Sequence, residues 1–210
     1  MALLYGASQL LGLDYQIKTF LKVFLFLLVP LSWSFFLMRG QTERILGLKD
    51  LKLKSLVPGL VVGTGSFGII LAAYAILGNF IDFTGIKTEL QTTGITTTNF
   101  ILIGLYIVFI NSLLEEFFFR GFLFLNLKKY ASVRIAYFYS AILFAIYHLE
   151  TIQTWFNPVL MFLALLSLFV IGLVFNFLNI KANHFLNSWI AHAVADSAII
   201  LVGCRMFGLI

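Results

Sequence analysis

Glu115, Glu116 and Arg120 stand in the run NSLLEEFFFRGF, residues 111–122, which is otherwise dominated by Leu and Phe. His148, His192 and Asp196 have similarly apolar neighbours, and apart from the tail residue Arg205 these six are the ionisable groups expected inside the hydrophobic stretches. Residues four apart share one face of a helix, whereas adjacent residues diverge by about 100°. Glu116 and Arg120 are therefore natural partners, with the acid on the favourable N-terminal side. That leaves Glu115 as the carboxylate without a local counter-charge, free to point into a cavity between helices. His192 and Asp196 repeat the spacing of four, so one helix face carries an imidazole and a carboxylate together. A carboxylate, two imidazoles and a second carboxylate are the parts needed to activate water. Glu115 suits a general base, and either His148 or His192 could orient the water, donate to an oxyanion or protonate a leaving amine.

The stretches EEFFFR at 115–120, FAIYH at 144–148 and HAVAD at 192–196 resemble the EExxxR, FxxxH and HxxxN/D motifs of the CPBP family. That family includes the CaaX-prenyl endoproteases of the Rce1 type and bacterial homologues first described as abortive-infection proteins. The resemblance implies a glutamate-type intramembrane peptidase without a cofactor, multi-pass in a bacterial plasma membrane, acting on a membrane-associated protein or peptide. It implies that Glu115 activates the attacking water, that Glu116 and Arg120 support it, and that His148 lies in the catalytic pocket. Phe144, which opens the second motif, belongs with the supporting residues. His192 and Asp196 are implied to stabilise the oxyanion. Asp196 stands where some members have Asn, and an ionised Asp cannot donate a hydrogen bond. It must therefore carry a proton or serve to orient His192. The chain is similar to the compact bacterial type, so prenylated substrates are not assumed.

These residues need a solvent that makes them costly, and composition supplies it. The 210 residues are 61% hydrophobic, 17% aromatic and only 11% charged, against about 25% charged in soluble domains. We read residues 1–210 as a single integral membrane domain, all-α and polytopic, a helical bundle in the lipid bilayer with the family motifs inside 111–200. About 20 apolar residues span the hydrocarbon core, and six stretches approach that length: 20–38, 56–77, 100–125, 135–149, 158–178 and 188–207. The fourth is the shortest. The N-terminal MALLYGASQLLGL reads as an interfacial segment rather than a removable signal.

Loop cations orient the bundle. Arg39, Arg44, Lys49, Lys52 and Lys54 follow the first span, and Lys128, Lys129 and Arg134 follow the third, which places both loops in the cytoplasm. Lys87 alone follows the second span, while Lys18 and Lys22 oppose an external N-terminus. At about 1.5 Å per residue, the cytoplasmic ends lie about 15 Å from Glu115, 12 Å from Asp196, 20 Å from His148 and 6 Å from His192. Tilts of about 20° bring those depths into one layer.

The net charge of +5 accompanies no basic groove interleaved with aromatics, so no nucleic-acid partner is expected. The single cysteine, Cys204, excludes an internal disulfide and a cysteine metal cage. No metal is expected either: Glu, two His and Asp resemble zinc ligands, but the sequence has no HExxH. The competing readings are a structural Glu116–Arg120 bridge, a polar clamp of His192 with Asp196, and a non-catalytic immunity or scaffold protein using the same cluster to bind a partner. A proton-coupled carrier calls for two matching halves with broken helices, and no such symmetry is present. His184, in the polar connection NIKANHFLN, is expected to be solvated. Phe117, Phe118 and Phe119 are expected to face lipid or fill packing space.

Overall fold

A computed structural model describes residues 15–37 and 53–210. The expected interfacial segment 1–13, the loop cations Arg39, Arg44, Lys49 and Lys52, and the side chain of Lys18 lie outside the described residues. Among those residues, six helices are long and apolar enough to cross a bilayer: α1 (Thr19–Phe36), α2 (Leu53–Phe80), α4 (Phe100–Tyr130), α5 (Val133–Trp155), α6 (Pro158–Ala182) and α7 (Leu186–Phe207). A short helix, α3 (Phe83–Thr92), joins α2 to α4. The molecule is an all-α polytopic bundle.

Local chemistry sets the helix ends. Asn157 caps α6 by accepting from the N–H groups of Val159 and Leu160, both at 3.1 Å, with Pro158 in the first turn, where its missing N–H costs nothing. Asn183 stops the same helix in the left-handed conformation, at φ 58°. Only residues 131–132, 156–157 and 183–185 separate the last four spans, so α4 to α7 must run antiparallel to their chain neighbours. The fourth span is longer than 135–149. The acid Glu150 does not end it, because the polar last turns of α5 meet α3, where the Thr154 hydroxyl donates to Glu89 at 2.9 Å.

The centre of the bundle is α4 and α7. In each, 44% of the most apolar window is buried, against 6% for α2 and 11% for α6. Lipid supplies no hydrophobic drive for helix association, so close packing and interhelical hydrogen bonds must supply it. Gly59 and Gly63 of α2, four residues apart, let its backbone approach Asn187 and Ala191 of α7. Asn187 of α7 then bonds twice to the start of α2. Its Oδ1 accepts from the Gly59 N–H at 3.1 Å, in the part of a helix where N–H groups need outside acceptors, and its Nδ2 donates to the Ser55 carbonyl at 2.9 Å.

Three wide π-type turns interrupt this regularity. In α1 the Val29 N–H bonds to the Phe24 carbonyl; in α4 the Ser112 N–H bonds to Ile107 and the Leu125 N–H to Arg120. The first lies just before Pro30, whose ring would otherwise clash with the carbonyl four residues back. The other two bracket the short α-helical piece Ser112–Glu116 that carries both glutamates. Such turns recur at functional sites. The second of them turns Phe117 and Phe119 into the protein, 4% and 0% exposed, so the phenylalanines of this run are packing residues.

Gly63 tests the α2–α7 contact. An added Cβ there meets the Val194 Cβ at 2.9 Å and the Ala191 Cα at 3.0 Å, whereas Gly65 has open space. Gly63→Leu is expected to destabilise the protein by about 1–3 kcal/mol. Gly65→Ala is expected to be neutral or to stabilise by up to about 1 kcal/mol. Thermal or SDS-induced unfolding of the purified protein reads both.

Candidate active site

α1, α4, α5 and α7 bring Lys22, Glu115, Glu116, Arg120, His148, His192 and Asp196 into one cluster. All six residues singled out in the spans are therefore together. Glu116 is the hub of its buried half. Its Oε1 accepts from Arg120 at 2.8 Å, the expected pair four apart, and from His192 Nδ1 at 3.0 Å. Arg120 has no exposed surface. Its guanidinium lies 4.0 Å from the Phe144 ring centroid and 5.1 Å from that of Phe175, and its Nε and Nη2 make no hydrogen bond. A planar, weakly hydrated cation can rest on aromatic faces in this way. Phe144 also contacts both imidazole rings, with centroids at 4.6 Å for His148 and 5.8 Å for His192.

Glu115 has two differently employed oxygens. Oε1 accepts from Asn111 Nδ2 at 2.8 Å and from Lys22 Nζ at 3.3 Å. Oε2 has no hydrogen-bond partner and lies 3.6 Å from His148 Nε2 and 3.9 Å from His192 Nε2. Glu115 has no counter-charge on its own helix face, and Lys22, 93 positions away in sequence, supplies one from α1. The set of ionisable groups in the spans is correspondingly larger than expected.

Hydrogen-bond logic fixes which imidazole nitrogens face the glutamate. A carbonyl oxygen only accepts, so the 2.8 Å contact of His148 Nδ1 with the Phe144 carbonyl puts the proton on Nδ1. Neutral His148 therefore presents the Nε2 lone pair to Glu115. His192 likewise donates from Nδ1 to the Glu116 carboxylate, so Glu116 is the group bonded to that ring. Asp196 faces Nε2 instead, at 3.6 Å, beyond hydrogen-bonding distance. Three carboxyl groups face two fixed cations, and uncompensated charge in an apolar interior is expensive. One proton on His192 or Asp196 brings the cluster to neutrality.

Supporting polar contacts hold the helices around this centre. The Ser140 hydroxyl donates to the Phe119 carbonyl at 3.0 Å, Asn176 Nδ2 to the Tyr137 carbonyl at 2.8 Å, and Asn179 Nδ2 to Ser188 at 2.7 Å. Lone Asn and Ser residues in apolar helices were the available sequence signal for these. His184 departs from expectation: it is buried, 4% exposed. The left-handed turn at Asn183, held by Lys128 at 3.2 Å, folds the connection back against the bundle. Burial pushes the His184 imidazole below its ordinary pKa. Among the described residues, no group of three or more His, Cys, Asp or Glu side chains is arranged to hold a metal ion.

Residues 97–198 match the family model described as type II CAAX prenyl endopeptidase Rce1-like. The matched region contains Glu115, Glu116, Arg120, Phe144, His148, His192 and Asp196 and begins well after Lys22. No curated protein and no solved structure matches the chain.

The aromatic cradle predicts that charge alone cannot replace Arg120. Arg120→Lys is expected to lose about 2 kcal/mol, the scale of a desolvated cation–π contact. Arg120→Met, which leaves the Glu116 carboxylate with His192 as its one hydrogen-bond donor, should lose about 3–5 kcal/mol. Unfolding midpoints of the two variants against the parent protein provide the measurement.

Proposed function

We propose that this protein, a multi-pass membrane protein that residues 97–198 make a member of the Rce1-like peptidase family, hydrolyses a peptide bond in a membrane-associated protein or peptide with water activated by Glu115. One observation carries the proposal. Glu115 Oε1 is held by two donors, while Oε2 has no hydrogen-bond partner and points between two imidazole Nε2 atoms. Glu116 Oε2 is also without a partner, so what sets Glu115 apart is that its free oxygen faces two imidazole nitrogens.

In this mechanism a water molecule gives one proton to Glu115 Oε2 as its oxygen attacks the carbonyl carbon, with the His148 Nε2 lone pair accepting its second hydrogen as a hydrogen bond. Negative charge develops on the carbonyl oxygen. The proton that neutralises the cluster, carried by His192 Nε2 or by Asp196, is donated to that oxyanion as a hydrogen bond. Glu116 keeps the His192 ring in register through Nδ1. The carbon–nitrogen bond then breaks, and the leaving nitrogen takes the proton from Glu115, which returns the carboxylate to its starting state. Each proton-transfer role of this kind contributes about 10²–10⁴-fold.

Among the described residues, Lys54, Lys128, Lys129, Arg134 and Lys181 lie at or near the membrane face that holds residues 131–132 and 183–185. The excess of cations assigns that face to the cytoplasm, and we place the protein in a bacterial plasma membrane. The start of α1 at Thr19 and the end of α7 at Phe207 then lie on the opposite face.

The test is cleavage of lipidated and transmembrane fluorogenic peptides by the purified protein in proteoliposomes. Glu115→Gln and His148→Ala are expected to lose about 10²–10⁴-fold in rate while accumulating and folding like the parent. Turnover by Glu115→Gln at the parental rate would refute the assignment. A phenotype that survives Glu115→Gln without any turnover would point to the immunity or scaffold alternative. Inhibition by a strong chelator, reversed by added zinc, would replace the glutamate mechanism with a metal one.

A further inference from the structure

Lys22 lies in α1, outside the family-matched residues 97–198, and reaches the centre of the proposed site. Its Nζ is 2.6 Å from Asn111 Oδ1 and 3.3 Å from Glu115 Oε1, and Asn111 Nδ2 donates to that same oxygen at 2.8 Å. The three side chains close a triangle on one carboxylate oxygen. Lys22 is not a mobile surface cation, because its helix is keyed to the bundle one turn further on. Phe26, on the same helix face, is 1% exposed and stacks on Phe118 at 4.4 Å, with Phe119 and Tyr147 at 5.6 and 5.3 Å. The ammonium itself stands 5.0 Å from the centre of the Tyr147 ring, next to His148 in α5.

We infer that Lys22 is a positioning residue for the proposed hydrolysis: with Asn111 it captures Oε1 of Glu115, keeps that group a carboxylate in the apolar layer, and leaves Oε2 as the oxygen that meets water. The inference rests on the hydrolase reading above and extends it to α1, which thereby completes the site. An isolated carboxyl group in a low-dielectric environment favours its neutral form, and a neutral Glu115 has no lone pair basic enough to take a proton from water. The other side chains bonded to this carboxyl, Asn111 and Tyr147, are neutral and supply no counter-charge to hold it ionised. The ammonium supplies it, and a misplacement of about 1 Å at a reacting group costs about 10²-fold in rate. Lys22 does not itself transfer a proton in this scheme.

The experiment compares Lys22→Gln, which keeps a hydrogen-bond donor without charge, and Lys22→Arg, which keeps the charge, in the full chain in proteoliposomes. Lys22→Gln is expected to lower kcat about 10²-fold with KM unchanged, and Lys22→Arg to recover most of that loss. A purely structural contact would lower the amount of folded protein and leave kcat per folded molecule alone. Dicyclohexylcarbodiimide, which adds to protonated carboxyl groups, gives a readout that needs no substrate. Mass spectrometry should find Glu115 labelled in Lys22→Gln and unlabelled in the parent and in Lys22→Arg. Lys22→Met replaces Lys22→Gln if the amide variant does not fold. Equal labelling in all forms, or parental kcat in the neutral variant, overturns the role of Lys22 and leaves the hydrolase reading standing. Turnover by Glu115→Gln, by contrast, removes the hydrolase reading whatever the labelling shows.

Discussion

A charge in the hydrocarbon layer has to be neutralised on the spot, and this requirement organises the bundle. Placing one carboxylate there costs a few kcal/mol even on lenient scales, and α4 places two in succession. Among the described residues, the partners that compensate them are on other turns and other helices: Arg120 one turn on, His192 from α7, and Lys22 from α1. Moving any of these helices by an ångström or two would leave a buried charge unpaired. The polar cluster therefore fixes helix positions as strictly as the packing does, and it does so at the level where the proposed chemistry takes place.

Packing makes room for that arrangement. The glycine face of α2 lets α7 sit close enough for Asn187 to bond across to Gly59 and Ser55, which sets the height of α7 and thus of His192 and Asp196. Gly172 of α6 does the same beside Arg120, where an added Cβ would lie 3.3 Å from Nη2 and 3.2 Å from the Ala141 Cα. The wide turns of α4 stand on either side of the glutamates, and the second of them holds Phe119 and Arg120 inward with no surface exposed. Arg120 is then enclosed by Phe119, Phe144 and Phe175. The backbone irregularity and the buried cation belong to one local solution.

What could be read from sequence followed the range of each interaction. The Glu116–Arg120 pair is local and set by helical spacing, so it was legible. Six spans were legible from apolar length, although α5 runs past Glu150 because α3 covers its polar end, a tertiary fact that periodicity does not carry. The convergence of His148 and His192 on Glu115 was accessible as a matter of depth. Its finer connections were not: spacing of four pointed His192 toward Asp196, whereas the hydrogen bond of its Nδ1 goes to Glu116, 76 positions away. Lys22 was read as a topology signal near a span end, since nothing local distinguishes a flanking lysine from a counter-ion. His184 was read as solvated because its neighbours are polar, yet the αL turn at Asn183 tucks it inside.

The central claim is that Glu115 acts on water rather than on the substrate carbonyl itself. The most direct measurement is a single turnover in ¹⁸O-enriched water, with the new carboxyl terminus of the product and the peptide containing Glu115 both analysed by mass spectrometry. Attack by activated water predicts one ¹⁸O in the product and none in Glu115. Product free of ¹⁸O, with the label appearing in Glu115, would contradict the account by revealing an acyl intermediate on the glutamate.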